Sequence, residues 1–127
     1  MLNCNLQSAI LLTQPYLQQF KSLNNGIIIH IGSTLSTQVL TQAASYTISK
    51  HALRAYHELL IDFFKNSQVK VTLINPGFIN TSSWDGIEAE KETFIQEEDM
   101  IRAIDFILQN PEYININELN IKPVIYK

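Results

Sequence analysis

Two short apolar runs constrain this chain more than any other feature: Gly26-Ile-Ile-Ile-His-Ile31 and Val69-Lys-Val-Thr-Leu-Ile74. The first is β-rich and nearly continuous, the pattern of a strand covered on both faces. The second ends at Asn75-Pro76-Gly77, a strong stop. Between them, from about Ser45 to Phe64, Leu53, Tyr56, Leu60 and Phe64 share one helical stripe, with Ile48, Ala52, Ala55 and Leu59 beside it. That apolar surface is wide enough to predict contact with more than one layer. Upstream, Asn5 to Phe20 carries Leu6, Ile10, Leu11, Leu12, Tyr16, Leu17 and Phe20 at mostly helical spacing, and Asn25-Gly26 marks a turn. A third helix is predicted from near Gln96, where Glu97, Glu98 and Asp99 suit the helix dipole, to Asn110-Pro111. A last short strand falls within Asn117 to Val124. Helix, strand, helix, strand, helix, strand is the order of a parallel α/β sheet.

Composition narrows the classes. The 127 residues suffice for one core but not two, so residues 1–127 are expected to form a single domain. A net charge of −3 gives no electrostatic footprint for nucleic acid or an anionic membrane. Cys4 is the only cysteine, which excludes an intrachain disulfide and fits a cytoplasmic location. The run Ala9-Ile10-Leu11-Leu12 is far short of a signal-peptide core or a membrane span. The four glycines stand at 26, 32, 77 and 86, no two closer than six residues, so no glycine-rich phosphate loop is present.

The sharpest local motif is Tyr46-Thr-Ile-Ser-Lys50, whose spacing of four puts a phenol and an ammonium on one helix face. Alone it is weak. Five Tyr and seven Lys in this length predict about 0.3 such pairs by chance, and a Tyr packed in the core beside a solvated Lys is the ordinary explanation of one. Context strengthens it: Ser33 closes the first strand thirteen residues before Tyr46, and Asn75-Pro76-Gly77 closes the second. In a parallel sheet both points lie at the carboxyl edge, where α/β proteins bind ligands.

These residues together resemble the short-chain dehydrogenase/reductase family. The resemblance rests on Asn5-Leu6, Ser33, Tyr46-x-x-x-Lys50 within Tyr-Thr-Ile-Ser-Lys-His-Ala-Leu, and Pro76-Gly77-Phe-Ile79-Asn-Thr81. The C-terminal Glu98-Asp99, Pro111, Asn115-Ile-Asn-Glu118 and Pro123 look like a subgroup of small cytosolic reductases. The resemblance implies a partial Rossmann-like fold, a three-stranded parallel sheet with flanking helices. It implies hydride transfer between NAD or NADP and a small alcohol or carbonyl substrate. Tyr46 is then the general acid/base, Lys50 the nearby positive charge and a ribose contact, Ser33 the hydrogen-bond partner of the substrate oxygen, and Asn5 the holder of a water linking Lys50 to solvent. Cofactor contacts would come from Tyr46, Lys50, Pro76, Gly77, Ile79 and Thr81.

Blander roles remain beside these. Ser33 could cap the strand–loop junction, Asn5 could be a helix N-cap, and Pro76-Gly77 is a turn in any case. His30, His51 and His57 read as structural or solvated, with no partners at metal-ligand spacing, and Cys4 reads as packing. Trp84 suits a substrate lid or a loop anchor equally. The glycine-loop half of a dinucleotide fold is missing from the resemblance, which would leave strand 26–31 as an edge. Two expectations follow: the catalytic half of an oxidoreductase, or a truncated, non-catalytic module that folds or dimerises. Homo-oligomerisation through helices 5–20 and 45–64 is expected in either.

Overall fold

The computed structural model describes residues 6–80, 86 and 91–125. The first helical region is divided into α1 (Ser8–Thr13) and α2 (Leu17–Leu23) by a single 3₁₀ turn, Gln14–Tyr16. Its continuous spacing over 5–20 predicted one helix. Pro15, at the first turn of the 3₁₀ segment, supplies no N–H for an α-helical ladder, so the chain tightens there instead. α2 stops at Asn24, whose φ of 53° is left-handed, and Asn24 Oδ1 then accepts from the Gln68 N–H across to the far end of the next crossover. Gly26 has φ 153°, and a Cβ there would fall 2.4 Å from the Phe20 ring, so the turn requires glycine.

The sheet has the order β1 (Ile27–Ile31), β2 (Lys70–Pro76), β3 (Glu118–Ile121), all parallel. Two helices make the crossovers: α3 (Ala44–Phe63) joins β1 to β2, and α4 (Glu97–Leu108) joins β2 to β3. The fold is therefore α/β with a three-stranded parallel sheet and flanking helices, as the element order predicts. At the start of α4 the Gln96 N–H donates to Asp99 Oδ2, 2.9 Å away, and this bond together with Arg102 holds the Asp99 carboxyl below the usual range.

Strand alternation decides what each face meets. Ile28, His30, Val71 and Leu73 share one face by register, and there Ile28 and Val71 join Leu17 of α2, Leu60 of α3, Phe64 and Val69 in the main core. Thr13 Oγ1 pairs with His30 Nε2 at 3.1 Å, and the His30 ring lies 5.8 Å from that of Tyr56, so this histidine belongs to the same layer. Burial, and secondarily the neighbouring His57, lower the His30 pKa. On the opposite face Leu119 and Ile121 share a groove with Ala103 and Phe106 of α4.

Two expectations about burial need correcting. The central strand β2 is covered on both faces, but β1 is not: Ile27 and Ile31 keep 41% and 40% of their surface exposed. An edge strand has a neighbour on one side only, and α4 reaches the β3 end of the sheet. The second stripe of α3 is likewise uncovered, since Ile48 and Leu59 are 60% and 67% exposed. A three-stranded sheet offers α3 a single apolar face, which its first stripe fills.

Leu60, 3% exposed in the layer between α3 and the sheet, reports on this packing. Leu60→Ala should cost about 2–5 kcal/mol in urea unfolding, through lost burial and the cavity left behind. A loss below about 1 kcal/mol would mean that α3 does not depend on this contact.

Candidate active site

The geometry of the site begins with strand ends. β1 and β2 pair in register Ile31↔Ile74, so both chains leave the sheet at the same edge, and the Gly32 N–H donates to the Ile74 carbonyl at 2.7 Å. Ser33 follows in extended backbone, φ −163° and ψ 161°, and starts the 3₁₀ turn Thr34–Ser36. Its Oγ accepts from the Leu35 N–H at 3.1 Å while its own N–H donates to Ser36 Oγ at 3.1 Å. The capping role weighed from the sequence is thus present. A serine hydroxyl that accepts one bond still carries a proton to donate, so capping leaves Ser33 able to serve a ligand oxygen.

Tyr46 and Lys50 lie in the first two turns of α3, one turn apart. The Lys50 ammonium sits 5.4 Å from the centre of the Tyr46 ring and donates to the Ile31 carbonyl at 3.4 Å. Lys50 is buried, and that burial lowers its pKa from the ordinary lysine value. Among the described residues its cation is met by a backbone carbonyl and by the aromatic ring beside it.

On the other side Pro76 ends β2, and the Gly77 N–H donates to the Ile121 carbonyl at 2.7 Å. Ile79 makes an isolated parallel bridge with Ile95, which ties the segment after Gly77 to the approach to α4. Ser33, Tyr46, Lys50, Pro76, Gly77 and Ile79 all line one cavity of about 650 Å³ at this edge. Six of the eight residues picked from the sequence are therefore brought together. Asn5 and Thr81 lie outside the described residues, as does Trp84.

The rest of the wall was not singled out from the sequence. Leu35, Val39, Leu40, Phe78 and Pro123 give it an apolar character, with Lys122 as a second cation on the lining. The long uncharged stretch from Ser33 to Ala44 was the available signal. The histidines are structural in two cases: His57 and His30 are buried. His51 is half-buried, with Nδ1 2.9 Å from the Thr47 carbonyl. Burial lowers the His57 pKa, and the Glu118 carboxylate, the Asn117 backbone and Glu58 act in the opposite sense.

The sequence pattern of the short chain dehydrogenase family matches residues 1–92. The chain belongs to this family. It is 32% identical, over 97% of its own length, to farnesol dehydrogenase of Aedes aegypti, and covers 53% of that protein. The closed form of a serine dehydrogenase complexed with NADP+ superposes with a TM-score of 0.87 at 26% identity, covering 98% of this chain and 54% of that one. An alcohol dehydrogenase from the archaeon Thermococcus sibiricus, complexed with 5-hydroxy-NADP, superposes with a TM-score of 0.85 at 19% identity, a likeness of fold alone. It is covered over 54% of its chain. The chain thus spans about half the length of the relatives it matches.

Among the described residues no helix is long and apolar enough to cross a membrane.

The burial of Lys50 has a measurable consequence. Between its depressed pKa and the ordinary lysine value of about 10.4, the unfolded chain holds more protons at this position than the folded one. Its contribution to stability therefore rises with pH across that window, and Lys50→Met should remove the slope. In a chain labelled with ¹³C at lysine Cε, the Lys50 signal should titrate below the surface lysines. A titration indistinguishable from theirs would contradict the buried placement.

Proposed function

We propose that the chain is the catalytic half of a Rossmann-type oxidoreductase, transferring hydride between a nicotinamide cofactor and a small alcohol or carbonyl compound. The observation that carries this reading is Lys50, buried on the cavity wall with its ammonium 5.4 Å from the centre of the Tyr46 ring. A phenol ordinarily ionises near pH 10, and using one as a base near neutrality takes about 4 kcal/mol of stabilisation of the anion. A nearby ammonium in a water-poor wall acts in that direction.

The residues present suit the nicotinamide riboside end of such a cofactor. Lys50 and Tyr46 offer donors for ribose hydroxyls, and Pro76, Gly77 and Ile79 offer an apolar, backbone-lined wall for a flat ring. They do not supply a phosphate cradle, since no two glycines stand closer than six residues. When bound, the oxidised cofactor supplies the hydride acceptor. The chain's own part is proton transfer and positioning: Tyr46 Oη takes the proton of the substrate hydroxyl in oxidation and returns it to the carbonyl oxygen in reduction. Ser33 Oγ donates to that same oxygen and stabilises the charge developing on it.

The test joins this chain to the nucleotide-binding half of a relative, such as the Aedes aegypti farnesol dehydrogenase, and follows cofactor-dependent alcohol oxidation. Tyr46→Phe removes one hydroxyl, so cofactor binding should persist while turnover falls at least about 10²-fold. Turnover within about tenfold of the unsubstituted enzyme would leave Tyr46 a packing residue. The 127-residue chain alone should show no saturation in fluorescence titrations with micromolar NADH or NADPH, and saturable binding would contradict the missing-cradle account.

A second reading, a module that self-associates, is favoured by exposed apolar side chains. Leu11 and Leu12 of α1 are 69% and 73% exposed, and Ile48 and Leu59 of α3 are uncovered as well. Such faces suit a helix–helix interface between copies. Light scattering should give at least a dimer, and a concentration-independent monomer mass would rule the interface out.

A further inference from the structure

One side-chain network links the three segments that carry Ser33, Tyr46 with Lys50, and Pro76-Gly77. Arg54 lies one turn beyond Lys50 on α3, on the stripe that begins with Tyr46. Its guanidinium forks onto a carboxylate on β3: Nε donates to Glu118 Oε1 and Nη2 to Glu118 Oε2, both at 2.9 Å. Glu118 Oε1 also accepts from Asn75 Nδ2 at 3.1 Å, and the same amide nitrogen donates to Asn120 Oδ1 at 2.9 Å. Asn75 is 2% exposed and immediately precedes Pro76-Gly77.

The contact continues to β1. A Cβ on Gly32 would fall 2.5 Å from Asn75 Oδ1 and 2.8 Å from Ser36 Oγ, so the Asn75 amide packs against the backbone just before Ser33. Ser36 Oγ in turn holds the Ser33 N–H.

We infer that Arg54, Glu118 and Asn75 form a strut that positions Ser33, the Tyr46–Lys50 helix and the Pro76-Gly77 turn relative to one another. These are positioning residues: they touch the segments that carry the site rather than its cavity. Register puts Glu118 opposite Leu73, and hence on the same sheet face as Asn75 and Asn120, the face against which α3 lies. The bidentate form matters, because two parallel bonds fix the angle of the helix against the strand where a lone ammonium would fix only a distance. The Arg54 hydrogen bonds, helped by Asn75 and opposed by partial burial, hold the Glu118 carboxyl below its usual range. His57 adds to that lowering; Glu58 of α3 pairs with Arg54 Nη1 at 3.3 Å, and Asp62, one turn further on, pairs with Lys65.

The strut deepens the oxidoreductase reading and rests on it for its purpose, but its test needs no turnover. Amide spectra of the ¹⁵N-labelled 127-residue chain are followed from pH 7 to pH 3. The Gly32, Ser33 and Gly77 amides and the Asn75 side-chain NH₂ should move together, with one midpoint below the ordinary glutamate value of about 4.3. Glu118→Gln should abolish that shared midpoint, and Arg54→Lys, which keeps a cation but loses the fork, should raise it toward about 4.3. Should Glu118→Gln fail to fold, the unsubstituted chain and Arg54→Lys give the same decision. Amides at 32, 33 and 77 that ignore the Glu118 titration, or that follow the same midpoint in Arg54→Lys, would overturn the strut. If the strut signature appears while Tyr46→Phe retains turnover, the catalytic reading falls and the strut stands. The reverse pair of results removes the strut and leaves the chemistry intact.

Discussion

Everything at this site depends on the parallel pairing of β1 with β2. Because Ile31 lies opposite Ile74, the two strands end within two residues of each other, and their continuations leave on the same side. Ser33 and Pro76-Gly77 are close to one cavity for that reason, despite lying more than forty residues apart in sequence. A slip of β1 by one residue against β2 would turn Ile28 and His30 from the α3 face to the other and leave part of that core unfilled. Register is therefore enforced by hydrophobic burial, and the site inherits its geometry from the core.

The second element of the site is the entry of α3. The 3₁₀ turns at Thr34–Ser36 and Thr41–Ala43 carry the chain from Ser33 to the helix, so that Tyr46 and Lys50 occupy its first two turns. Burying the Lys50 ammonium costs free energy, which a backbone carbonyl and an aromatic face offset only in part. A core free to choose would place an apolar side chain there. The proposed role of Lys50 would account for this local frustration, in which stability is set against charge placement.

Much of this could be read in the sequence, and physics explains which parts. The strands were legible because β-branched apolar runs bounded by Asn-Gly and Pro-Gly have few other homes, and α3 because its first stripe keeps the helical period through Leu53 and Leu60. Ser33, Tyr46, Lys50, Pro76, Gly77 and Ile79 were found because strand ends and a helix start can be located from such signals. Pro15 was visible yet its effect was not, since a proline inside a helix can either kink it or break it and only the three-dimensional path decides between a kink and a 3₁₀ break. The exposure of Ile48 and Leu59 was hidden because periodicity reports an apolar stripe and not what covers it. The Arg54–Glu118 pair spans 64 positions, and nothing local in either residue announces the other. Glu118 does stand out as a carboxylate in a strand of apolar and amide residues, which marks it as a group that must find a partner.

The central claim is that this chain, by its own folding, brings the phenol and the buried ammonium together at the strand edge. The direct measurement is the set of nuclear Overhauser contacts made by the Lys50 side chain in the 127-residue protein without added cofactor. The account predicts contacts from the Lys50 methylene protons to the Tyr46 ring, together with contacts to the Ile31–Gly32 backbone. Their absence, in a chain whose α3 and β1 are otherwise formed, would contradict it.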